Sequence, residues 1–178
     1  MVICGLSAVP HARAQEKEGD TVRLTLSPSS GLPDSEVILP IYLWSGGVSV
    51  GSLTVDITFP SRLVSFVKVE RTFLSEMTGT QVQSEVAADS TEDASVLKLV
   101  LATPAGTPAR EAIPDGPIAY LTFRVGKDTP LNTEVVLGLK AAGASADDPS
   151  RPLPPVAAPE GKITVQAAPV SGCFFYMH

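Results

Sequence analysis

The side chains best suited to bond-making chemistry stand at the two ends of this chain, outside its body. Its only histidines are His11 and His178, and its only cysteines are Cys4 and Cys173. Histidine is the usual general base near neutral pH, and His or Cys supplies most zinc ligands. If residues 1–14 are a removable leader, only Cys173 and His178 remain, both in the last six residues. Ser-His-Asp, Cys-His and zinc centres are then excluded from the body, and so is a structural disulfide. We expect no catalytic residue, no metal and no cofactor, hence a protein that is not an enzyme.

Carboxylates offer no substitute. A glycosidase needs two acids facing each other across a cleft at a set separation. Here the acids fall in turns or singly along alternating segments. Asp89, Glu92 and Asp93 in AADSTEDAS cluster oxygen ligands, but they lack the ordered spacing and central glycine of an EF-hand loop. A solvated acidic turn is expected there and at Asp147-Asp148. Trp44, the single tryptophan, follows PIYL and suits either an exposed sugar-stacking platform or a plug at one end of the fold. Packing is the expectation, because such platforms use two or three coplanar rings and aromatics are only 6% of residues.

The elements that must carry any site are strands. In VGSLTVDITF, residues 50–59, Leu53, Val55, Ile57 and Phe59 alternate with Ser52, Thr54, Asp56 and Thr58. Successive side chains of a strand point to opposite faces, so the first set makes core and the second a row of short polar groups. Similar alternation predicts strands at 21–27, 36–43, 50–59, 63–70, 80–87, 95–102, 117–125, 133–139 and 161–166. One helical turn is allowed at Thr72–Met77. Many short strands without intervening helices imply antiparallel pairing in a sandwich. The segment 142–160, AGASADDPSRPLPPVAAPE, lacks periodicity and is expected as a long surface excursion.

Composition narrows the partner. A chain of 178 residues suits one hydrophobic core. Its net charge of -6, with lysines and arginines scattered, argues against nucleic acid and anionic membranes, which require a basic patch. The apolar run Val2–Val9 followed by Ala12-Arg13-Ala14 reads as the end of a signal peptide, incomplete at its start, which implies export. The run is too short for a transmembrane segment. Residues 167–178, including Cys173, are expected to be a detached tail.

Taken together, GSLTVDITFPSRLVSFVKVE, SVLKLVLA, DGPIAYLTFRVGKDTPLNTEVVLGL and GKITV resemble a cohesin domain. This is the receptor module of bacterial cellulosome scaffolds and of other exported bacterial proteins. The resemblance spans roughly residues 21–166, and its most specific piece is Asp115-Gly116 leading into AYLTFRV, with Ala119, Leu121, Phe123 and Val125 entering the core. It implies an all-β, nine-stranded jelly-roll sandwich, matching the strand count.

It also implies that the outer face of the third, fifth, sixth and eighth strands binds a dockerin, a small calcium-loaded helical module. The family's third-strand contacts fall on Ser52 and Thr54, where well-studied members carry Asn and Asp; hydroxyls there give neutral rather than charge-assisted bonds. Alternation extends the expected binding set to Asp56, to Gln81, Gln83 and Glu85 on the fifth strand, and to Lys98 and Val100 on the sixth. Tyr120, Thr122 and Arg124 are assigned to the eighth, with Tyr120 and Arg124 as anchors because these types are enriched at interface hot spots. The expected molecule is an exported monomeric binding module. A carbohydrate-binding module that takes polysaccharide, and a structural domain of a cell-surface or secretion assembly, remain alternatives.

Overall fold

A computed structural model of the chain describes residues 21–88, 93–104, 112–148, 150, 152–154 and 156–167. The expected leader, Asp89, Glu92, Cys173 and His178 lie outside these residues.

Ten strands and one short helix follow in chain order: β1 (Arg23–Leu26), β2 (Ser29–Gly31), β3 (Glu36–Trp44), β4 (Val50–Pro60), β5 (Val64–Arg71), α1 (Phe73–Met77), β6 (Gln81–Ala88), β7 (Ala94–Ala102), β8 (Gly116–Val125), β9 (Glu134–Ser145) and β10 (Gly161–Val165). They form a four-stranded sheet, β1-β3-β8-β5, and a six-stranded sheet, β2-β10-β9-β4-β7-β6. This is the jelly-roll sandwich expected from the alternation, with one strand more than the nine counted. The additional strand, β2, is three residues long and runs parallel to β10, from Ser29 opposite Ile163 to Gly31 opposite Val165. SSG has no apolar alternation, so nothing in its pattern announces a strand. Among the ladders between the described strands, the pairing of β2 with β10 is parallel and the others are antiparallel.

The core lies between the sheets. The six-stranded sheet contributes Leu53, Val55, Ile57, Phe59, Leu97, Leu99, Leu101, Val135, Leu137 and Ile163. Opposite them stand Leu24, Val37, Leu39, Ile41, Leu43, Leu121 and Phe123. Phe123 joins the layers, meeting Phe59 edge-on at 5.3 Å between ring centroids and Phe66 at 5.7 Å. T-shaped contacts of this kind add to the burial itself. The described core holds no cysteine, so packing and backbone ladders carry its stability.

Two features fix the edges of this frame. Thr72 caps α1, its Oγ1 accepting from Ser75 N at 3.2 Å and donating to the Pro117 carbonyl at 2.7 Å, while Ser75 Oγ donates to the Ile118 carbonyl at 2.6 Å. The single turn expected at 72–77 is thus pinned to β8. Pro40, inside β3, is tolerated because its carbonyl side faces the end of β1, where Ser27 N donates to it at 3.0 Å and no further ladder bond is lost.

The expectation of a free excursion over 142–160 is corrected. Ala142–Ser145 continue β9, and Ala144 pairs with Pro152 while Leu153 N donates to the Gly143 carbonyl at 2.9 Å. Farther on, Ala157 bridges to β1: Leu24 N donates to its carbonyl at 2.8 Å and its own N–H reaches the Val22 carbonyl at 2.9 Å. Leu153, Val156 and Ala158 pack against the core. A proline-rich segment without periodicity is here strapped along both sheets, which its composition does not reveal.

Candidate docking face

Alternation turns the outward residues of β9, β4, β7 and β6 into one surface, and the cross-strand pairing arranges them in rows. Ala144, Ser52, Ala102 and Gln81 form one row, followed by Ala142, Thr54, Val100 and Gln83. The third is Lys140, Asp56, Lys98 and Glu85, and the fourth Gly138, Thr58, Val96 and Ala87. Charge alternates strictly along the third row and is absent from the other three. Small side chains elsewhere leave the face flat, with a shallow recess of about 170 Å³ where Gln83, Glu85, Lys98 and Val100 meet.

Asp56 stands out on this surface. Its Oδ1 is covered and has no hydrogen-bond partner, although Lys98 and Lys140 lie directly opposite on the two neighbouring strands. Neither lysine forms an ion pair with it among the described residues. A covered acceptor without a donor is costly to keep.

Ser52, Thr54, Asp56, Gln81, Gln83, Glu85, Lys98 and Val100 therefore come together, as expected from alternation. Tyr120, Thr122 and Arg124 do not join them, and their assignment to this face is corrected. They lie on β8, which is held between β3 and β5 in the opposite sheet. There Arg124 pairs with Glu36 at 2.8 Å, Tyr120 stands opposite Pro40 and Glu70, and Thr122 is buried between Ile38 and Lys68. The 117–125 segment is the seventh of the nine strands counted in sequence. The strand that completes the face is the next one, β9.

Sequence reasoning missed Gly138, Lys140, Ala142 and Ala144 of β9, along with Ala87, Val96 and Ala102 on β6 and β7. Ending β9 at 139 hid Lys140, Ala142 and Ala144, because KAAGAS has low strand propensity, while Gly138 stood on a strand not assigned to this face. The signal was present in weak form: Val135, Leu137, Leu139, Ala141 and Gly143 continue the inward phase without a break.

No described carboxylates gather into a metal site. Asp93 pairs with Arg62 and its carbonyl accepts from Ser61 N at 2.9 Å, as a turn residue would. Asp148 Oδ1 accepts from Ser150 N and Oγ at 3.0 and 2.6 Å, closing a polar turn. Trp44 corrects another expectation, since it is 64% exposed rather than packed.

The sequence matches no protein-family model and no curated protein. Solved structures do match. The third cohesin of ScaC from Acetivibrio cellulolyticus, solved in complex with the ScaB dockerin, superposes with a TM-score of 0.67 at 17% identity over 83% of this chain and 100% of that one. A non-cellulosomal cohesin from the archaeon Archaeoglobus fulgidus gives 0.62 at 17% identity, covering 83% and 92%. The solution structure of CaCohA2 from Clostridium acetobutylicum gives 0.60 at 21% identity, covering 85% and 94%. The fold is that of cohesin domains, as the strand order in the sequence suggested.

Proposed function

We propose that this chain is an exported, non-catalytic receptor module that holds a dockerin-type helical module on the outer face of β9, β4, β7 and β6. The observation that carries this reading is the face itself: four adjacent strands present flat rows of hydroxyl, amide and small apolar groups around one alternating charged row. Several similar structures are cohesins solved in complex with dockerins, which supports a protein partner of that kind. A flat sheet suits a helical partner, because hydroxyls and amides give directional bonds while Val100 and the alanines supply a modest apolar centre. Export is supported by the leader-like residues 1–14.

The test is calorimetry of the full chain against a panel of calcium-loaded dockerin modules, including those of enzymes from the same organism. One member should bind at one-to-one stoichiometry. Thr54→Arg, which places a long charged side chain at the centre of the face, should weaken it by about a hundredfold, since truncating or blocking a hot spot costs about 2–4 kcal/mol. Tyr120→Ala with Arg124→Ala should leave affinity unchanged. Binding indifferent to Thr54→Arg, or lost in the double variant, would move the site to the opposite sheet.

A further inference from the structure

The four-stranded sheet carries exposed aromatic residues that the docking face does not use. Tyr42 and Trp44 are two residues apart on β3 and so project from the same side, at 40% and 64% exposure. Across the ladder, Thr25 stands opposite Tyr42 and Arg23 opposite Trp44. From the other flank, Asp115 and Gly116 complete a cleft of about 370 Å³ around these side chains. The Asp115 carboxylate is held in place, with Oδ1 accepting from Ser45 N at 2.7 Å. Arg23 forms no ion pair among the described residues.

We infer that this cleft is a saccharide site, taking a neutral polysaccharide whose pyranose rings lie on Tyr42 and Trp44. The apolar C–H face of a sugar ring covers an aromatic ring as another apolar surface does, and large exposed aromatics are otherwise costly to leave in water. Its hydroxyl edge offers donors and acceptors together. Asp115 Oδ2 accepts, Arg23 donates, and Thr25 does either. The single cation and single anion cancel, which suits an uncharged ligand. A proline-rich peptide would use the same aromatic rings but offers mainly acceptors, since proline lacks an N–H, and would leave Asp115 without a donor. Because the cleft and the docking face lie on opposite sheets, both can be filled at once.

Trp44 is the only tryptophan, so emission excited selectively at tryptophan reports on this cleft alone. Titration with three soluble neutral polysaccharides, a β-glucan, a xylan and a galactomannan, should give a saturable blue shift with at least one. In gels loaded with that polysaccharide, Trp44→Ala and Tyr42→Ala should each lose about tenfold or more in affinity, while Thr54→Arg is retarded as much as the parent protein, each measured against its own migration in a saccharide-free gel. Both aromatic side chains are exposed, so their variants should keep the parent's thermal midpoint. Three findings would overturn the site: no retardation by any of the three polysaccharides, full retardation of Trp44→Ala, or an emission shift with polyproline but none with the saccharides.

Discussion

Lys98 sits between Asp56 on one neighbouring strand and Glu85 on the other, and this placement gives it a role beyond solvation. Directly opposed unlike charges on adjacent strands each contribute a few tenths of a kcal/mol, and like charges cost a similar amount. Lys98→Glu would create three consecutive negative positions across β4, β7 and β6. It should destabilise the fold by about 1 kcal/mol, lowering the thermal midpoint by about 2–4 °C, and calorimetry checks this. Lys162 behaves differently. Its hydrogen bond and charge attraction to Glu134 raise its pKa above the usual lysine value. A raised folded-state pKa means the pair's contribution is complete below lysine's ordinary pKa and disappears as pH climbs through the higher folded value. Denaturant midpoints of the parent and Lys162→Gln should therefore converge as the pH rises into strong alkali. At this scale the sequence was highly legible on β4, because every second residue from Ser52 to Thr58 is polar and a sheet translates that period directly into one face. Trp44 was not legible, since alternation places it outward but says nothing about whether a loop covers it.

Among the elements, β9 shows what alternation alone leaves hidden. Its second half, Lys140–Ser145, is built from small residues that are poor strand formers, yet it pairs with β4 from Ala141 opposite Val55 to Ser145 opposite Val50. The reason is space. A Cβ on Gly143 would collide with the Ser52 carbonyl oxygen and would lie 2.7 Å from Leu153 Cδ1. Glycine is required there so that the backbone of β4 and the proline-rich strap can both approach. Gly143→Ala should cost about 1–3 kcal/mol, as overpacking does, and should appear as a fall of several degrees in thermal midpoint. Gly138→Ala, whose added Cβ would meet only Thr58 Cβ at an ordinary 3.7 Å, is the matched control and should change little. The composition of 142–160 points to a loop because its contacts are with distant strands, and a local pattern carries no trace of them.

For the whole molecule, the decisive property is which strand belongs to which sheet. Alternation assigns each residue to an inner or outer side, and that part of the fold was readable from the sequence. Sheet membership depends on chain crossings, which alternation does not record, so β8 was assigned to the face that includes β4 although it lies between β3 and β5. Phe123 shows how the two layers depend on each other. It is fully buried, and its ring contacts Phe59 of one sheet and Phe66 of the other. Phe123→Ala should lose about 3–5 kcal/mol, a large share of the 5–15 kcal/mol typical of a domain, and urea unfolding would record the loss.

The two proposed sites lie on separate outer faces, one flat and hydrogen-bonding, the other aromatic and cleft-bearing. NMR shift mapping of the full chain with a bound dockerin module tests this division most directly. The largest changes should fall on Thr54, Val100 and Ala142, with Trp44 and Tyr120 still. Shifts concentrated on β3 and β8 would contradict it.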